Sequence, residues 1–278
     1  MKKLCAVIIS VLAVSAAVAL GADASSETSP QASPAPGRPY EKPAFWGTFL
    51  INLPTTTTPD RGDFLLRISH RFEQPMNSGF DDLLGLDGYA NVLVSLGYAV
   101  TDKLAFSIGR ARLYKEFEFG ADWLIAEQGV RGRIPVSVAL HGGFSLATQG
   151  EDNAKFSAAL SVSRQFGRRF SLLAVPVFVT NADHWNVDSQ ATLALGLGAR
   201  YMVFEDLSVL VEWVPSLAGY AAGENGWGVG IEKKIGGHVF QVFVANSLGL
   251  TTAQYAPGGD LRFRPFDFRI GFNIFRKF

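Results

Sequence analysis

The chain closes with FDFRIGFNIFRKF, Phe266 to Phe278. Phe266, Phe268, Ile270, Phe272 and Ile274 alternate with Asp267, Arg269, Gly271 and Asn273. A period of two puts the two sets on opposite faces of a β-strand. A soluble protein buries the apolar face of such a strand against a second layer. A membrane barrel turns it to lipid. The rest of the sequence decides between them.

The same alternation recurs along the chain. In LALGLGARYMV, Leu193, Leu195, Leu197, Ala199, Tyr201 and Val203 oppose Ala194, Gly196, Gly198 and Arg200. DLSVLVEWV, ANVLVSLGYAV and FLLRISHRF behave alike. The face opposite the apolar one is small, built of Gly, Ala and Ser with scattered Arg and Glu. A polar lumen has that composition, whereas the solvent face of a sandwich favours Lys, Glu and Thr. Connections alternate in length. Short ones lie at Thr101-Asp102, Gly167-Arg168, Glu205-Asp206 and Gly236-Gly237; long ones run Glu73 to Leu86, Asn181 to Gln190, Ala218 to Asn225 and Gly249 to Pro265. Outer-membrane barrels have short periplasmic turns and longer outer loops.

The pattern predicts an all-β fold, a closed antiparallel transmembrane β-barrel of about 12 strands, give or take two. Strands are expected near 63–73, 88–100, 103–114, 116–126, 134–147, 154–166, 169–180, 190–203, 206–217, 226–235, 237–248 and 266–278. Residues 48–53 read as an extra strand or a plug, and the alternation is weakest over 115–135. Pairing the last strand with the first leaves no free edge. The expected partners are outer-membrane lipid and the barrel-assembly machinery, the latter through the terminal strand ending in Phe278. Arg276 interrupts the apolar series there, and Phe275 is out of phase.

Lys and Arg number 25 against 25 Asp and Glu, a balance that argues against nucleic-acid binding. The first residues, MKKLCAVIISVLAVSAAVALGADA, have a basic start, an apolar run over Leu4 to Ala17, and small residues after it. That is a signal peptide over 1–24, cleaved after residue 19 or 24. A Pro/Ser-rich, disordered linker over 25–43 and a barrel domain over 44–278 follow. The expected location is the bacterial outer membrane; the oligomeric state is undefined. Cys5, the only cysteine, lies in the signal, so the mature chain has no disulfide and no cysteine metal site.

Site chemistry is sparse. His70, His141, His184, His238 and the Asn246-Ser247 pair are candidates for a lipid hydrolase, but no G-x-S-x-G elbow exists. Ser69 and His70 are strand neighbours and must face opposite ways. No catalytic residue is expected. Glu116, Glu118, Asp122, Asp81, Asp82 and Asp87 lack EF-hand spacing, so no metal and no cofactor are expected. Gly196, Gly198, Gly226, Gly228 and Gly230 alternate along strands and read as relief from crowding inside the barrel. The pore-lining candidates are Arg67, Arg71, Arg200, Glu212, Glu232, Asp267 and Arg269. They form either a structural ion-pair network or an anion-favouring pore. Arg110, Arg112 and Arg164 also recur on strands. Tryptophans and tyrosines near strand ends suggest interfacial girdles.

Several stretches together carry a resemblance: RISHRF, GFDDLLGLDGYANV, GYAVTDKLAFSIGR, PVSVAL, GGHVFQVFVANSLGLT and IGFNIFRKF. They resemble a bacterial family of outer-membrane β-barrel proteins classed as a domain of unknown function, over about Phe45 to Phe278. Asp60-Arg61-Gly62 stands where that family has a Pro-Lys-Gly-like turn. The resemblance implies the barrel and brings no substrate or catalytic residue. The expected function is a narrow channel or transporter for small solutes. The alternatives are a structural or interaction barrel with a filled lumen, and an outer-membrane lipid-modifying enzyme.

Overall fold

A computed structural model describes residues 43–129, 134–149, 154–185 and 190–278. The signal and nearly all of the linker expected from sequence lie outside the described residues. The strands are β1 (Phe64–Phe72), β2 (Ala90–Thr101), β3 (Leu104–Ala111), β4 (Phe117–Ala126), β5 (Ser137–Leu146), β6 (Ala154–Phe166) and β7 (Phe170–Val179). They continue with β8 (Thr192–Phe204), β9 (Leu207–Val214), β10 (Ser216–Gly219), β11 (Gly226–Ile235), β12 (His238–Ala245) and β13 (Arg269–Lys277). A single helical turn, α1 (Thr252–Tyr255), interrupts the last long loop.

Neighbours in sequence pair antiparallel, β13 pairs with β1, and β8 pairs with β9, so the sheet closes on itself. β10 continues β9 beyond Pro215, which has no N–H for the ladder; its carbonyl instead accepts from the Leu195 N–H at 3.0 Å. Counting the two as one gives the closed 12-stranded antiparallel barrel.

Two strand ends differ from the alternation read in sequence. β3 stops at Ala111 because Tyr114 and Lys115 take positive φ in a 3-10 turn. β13 starts at Arg269, three residues late, because Phe266 sits at φ 62° in a turn closed by Asp267 N–H donating to the Arg264 carbonyl. Asp267 therefore precedes the last strand. Its carboxylate accepts from Asn77 on the exposed side at 3.4 Å, so it does not face the lumen.

Two bands of aromatic side chains ring the outer face. Phe64 packs at a tilt against Tyr98, and Phe166 against Phe170, toward the short turns. Phe119, Phe144 and Phe156 form a row toward the long loops. Tyr201, Trp123 and Trp213 are about half exposed on this face, as lipid-facing girdles require. Arg110 and Arg164 also point outward near strand ends, against Phe117 and Phe166. Long cationic side chains reach the interface from there. Trp46 departs from the girdle expectation: it is buried inside the barrel, beneath the Arg200 guanidinium.

Candidate functional site

The lumen holds two segments of the chain. The first is 44–58, the stretch read from sequence as an extra strand or a plug; it is a plug. Leu50, Ile51 and Leu53 are fully buried at the tip of a tight turn, in which Leu50 N–H donates to the Leu53 carbonyl at 2.8 Å. Each such side chain contributes about 1.5–3 kcal/mol on burial.

The barrel wall is shaped to this turn. Leu50, Leu53 and Ile51 lie over Gly198, Gly196 and Gly228, where a Cβ would overlap their methyl groups. The wall also satisfies the turn's backbone. Glu212 Oε2 accepts from the N–H groups of Ile51, Asn52 and Leu53 at 3.1, 2.9 and 3.0 Å. Its Oε1 accepts from Asn52 Nδ2 at 3.0 Å. Arg71 donates to Asn52 Oδ1 at 2.9 Å, and Asn273 Nδ2 donates to the Ile51 carbonyl at 2.9 Å. Gln241 donates to the Phe49 carbonyl at 3.1 Å. The threonine run stitches the returning arm to the wall and to itself. Thr56 bonds Ser163 at 2.6 Å, and Thr55 and Thr57 donate to the Gly47 and Phe45 carbonyls.

The second insert is the loop around α1. Leu250 and Tyr255 are fully buried. Thr251 Oγ1 donates to Glu116 Oε1 at 2.6 Å, Gln254 Nε2 donates to Glu116 Oε2 at 3.2 Å, and the Thr252 N–H donates to Glu118 Oε1 at 2.9 Å. Glu116, whose cluster lacks metal-site spacing in the sequence, is an anchor for this loop.

The inward arginines contact these inserts and loops; Arg71 and Glu212 share Asn52, and Arg200 faces Glu232. Arg67 lies over the Phe49 ring at 3.7 Å and donates to Ser69 Oγ and the Leu250 carbonyl. Arg269 forms a two-pronged pair with Asp260 at 2.7 Å, in the preceding loop, and not with Asp267. Glu232 accepts from Gln241 at 3.2 Å. Arg200 Nε and Nη1, Ser208 Oγ and Glu232 Oε1 are buried polar atoms without a protein partner.

The inserts pack on both ends of the β2–β6 wall and leave its middle uncovered. Its inward positions are small: Ser95, Gly97, Ser107, Gly120, Gly143 and Ser157, with Glu118, Asp122 and His141 among them. One register row runs Gly97, Ser107, Gly120, Gly143, Ser157 across five strands. Along it lies a string of cavities. A mouth of about 660 Å³ opens among the short turns, lined by Thr57, Thr58, Asp102, Glu127 and Lys277. It shares Thr48, Thr57, Thr58, Pro59 and Leu65 with a second cavity of about 50 Å³. The second shares Phe49, Ser107, Glu118 and Asp122 with a third of about 40 Å³, which reaches Thr252. Across α1, Ala253 and Gln254 line an outer cavity of about 270 Å³. A water needs roughly 10–15 Å³ of such space, so each inner cavity holds on the order of three. In the outer cavity, burial pushes the Tyr114 and Tyr220 phenols above their ordinary value, so both stay neutral donors.

The histidines separate. His70 and His238 stack on Phe272 and Phe240 on the outer face, while Ser69 points into the lumen. His141 Nδ1 meets Asp122 Oδ1 at 2.7 Å inside the lumen. His184 stacks on Tyr114 at the outer cavity. Ser247 is buried near the long loops, away from His238, and accepts from the Gly249 N–H. Among the described residues no group of three or more His, Cys, Asp or Glu side chains is placed to hold a metal ion.

A closed 12-stranded barrel with a lipid-facing aromatic exterior and a polar lumen is an outer-membrane β-barrel protein. The chain belongs to the family described as "Membrane bound beta barrel domain (DUF5777)", which matches residues 45–278. No functionally curated protein matches the chain. Among solved structures, it is similar to an outer-membrane channel from Pseudomonas putida F1, with TM-score 0.51 and 12% identity over 80% of this chain and 98% of that one. The NanC porin gives TM-score 0.48 and 6% identity over 76% and 97% of the two chains. An outer-membrane protein from Acinetobacter baumannii gives TM-score 0.41 and 11% identity over 78% and 98%.

Proposed function

We propose that the protein is a narrow outer-membrane channel for small solutes. The observation that carries this reading is the series of cavities along the small-residue wall, which lie beside the inward-folded N-terminal segment and share lining residues from the short turns to α1. A barrel built solely for stiffness would gain by filling that wall with larger side chains. The shared fold with a protein described as an outer-membrane channel supports the same reading.

The test is single-channel conductance of the purified mature protein in planar bilayers, after a heat-dependent gel shift has shown the barrel folded. Discrete steps of low conductance are expected. Silence from a folded barrel overturns the channel. A second reading, a structural or interaction barrel, draws on the tight seat of Leu50, Ile51 and Leu53, and silence would favour it.

A further inference from the structure

We infer that the passage along β2–β6 selects small monovalent cations over anions, through Glu118 and Asp122. This rests on the channel reading. One inward lysine, Lys155, borders the outer cavity beyond α1, 3.4 Å from His184, while the arginines stay with the inserts and loops. Arg71, Arg200 and Arg269 line none of the four cavities. Arg67 borders only the second, where its guanidinium lies flat on Phe49 and is bonded to Ser69 and Leu250. Of the inward carboxylates, Glu116, Glu212 and Glu232 also line none of them, and two others do. Glu118 and Asp122 both line the second and the third cavities, the narrowest part of the route.

The two carboxylates outnumber the one guanidinium, Arg67, at a constriction a few water molecules wide, and they act on an ion at short range with little bulk water between to screen them. A cation is drawn in and an anion repelled. The neighbouring wall provides polar groups to replace part of the hydration shell. Ser107 Oγ lies over Gly120, and Ser157 Oγ over Gly143, close enough that a Cβ on either glycine would overlap it. His141 borders the third cavity, and its Nε2, turned from Asp122, is buried with no protein partner. The mouth continues the same sign with Asp102 and Glu127. Of its two lysines, Lys277 is paired with Asp60 at 2.5 Å, and Lys234 also borders the space. Cavities of 40–50 Å³ exclude sugars and peptides without rearrangement, which restricts the permeant to water and ions stripped of most of their shell.

Reversal potentials in a KCl gradient test this directly, with wild type compared to Glu118→Gln, Asp122→Asn and the double variant. A gel-shift check establishes that each is folded. The expected result is a several-fold preference for K⁺ over Cl⁻ in wild type, reduced in each single variant and close to parity in the double. A wild-type channel that conducts but prefers Cl⁻ overturns the inference and leaves the channel standing, even if neither variant folds. So does a cation preference that the double variant retains. Absence of any conductance from folded wild type removes the channel and the inference together.

Discussion

Glu212 shows how much one side chain determines. Its carboxylate takes three consecutive backbone N–H groups and one side-chain amide from a segment some 160 residues earlier. Hydrogen bonds to a charged acceptor contribute about 1.5–3 kcal/mol. Glu212→Gln keeps the shape and removes the charge. It should loosen the seat by about that amount, read as faster protease cleavage within residues 49–54 in a barrel whose gel shift is retained. Unchanged cleavage would exclude Glu212 as the anchor. Phe49 has the opposite role. It borders both inner cavities beneath Arg67. Phe49→Ala should widen the route and raise unitary conductance; a conductance equal to wild type would show that ions do not pass there. The alternation of β9 already turned Glu212 inward in the sequence. Its partners were not legible, because a turn's exposed N–H groups leave no periodic mark and the contact is not local.

At the scale of the element, the strands were read well because period two is imposed at every residue by the pleat. Errors fell where a single backbone angle breaks the pattern, at Tyr114 and at Phe266. Phe266 and Phe268 continue the apolar alternation on paper, so nothing in their side chains announces the turn. The alternating glycines were read as relief from crowding, and three of them are sockets for Leu50, Ile51 and Leu53. What they made room for was invisible, since a glycine records a close approach but not its partner. A volume swap tests the socket. Gly198→Val should push Leu50 out of its seat at a cost of about 1–3 kcal/mol, and Leu50→Ala in the same chain should restore much of it, measured by the same protease protection. If the second change gives no recovery, the Gly198–Leu50 contact is incidental.

For the whole molecule, sequence defined the wall and left the contents of the lumen open. The choice between an arginine-lined anion pore and an internal ion-pair network was posed on charge pattern alone. The arginines hold chain folded in from both ends of the sequence, with Arg269 paired to Asp260, and two carboxylates of β4 face the remaining space. Two segments without strand periodicity thus decide how much of the lumen stays open, and β4 supplies the carboxylates that face it. Their positions follow from long-range complementarity, which one sequence cannot display. The electrical measurements above therefore report on the inserts as much as on the barrel.

The seat of the N-terminal turn also has a bearing on biogenesis. Its polar groups come from Arg71 on β1, Gln241 on β12 and Asn273 on β13, with Glu212 on β9. β1 and β13 meet only when the cylinder is sealed. The receptor for residues 49–54 does not exist in a half-made barrel. Residues 49–54 precede every strand in the sequence, yet they must wait for β13 before they can dock, and their arrival marks the closing of the barrel.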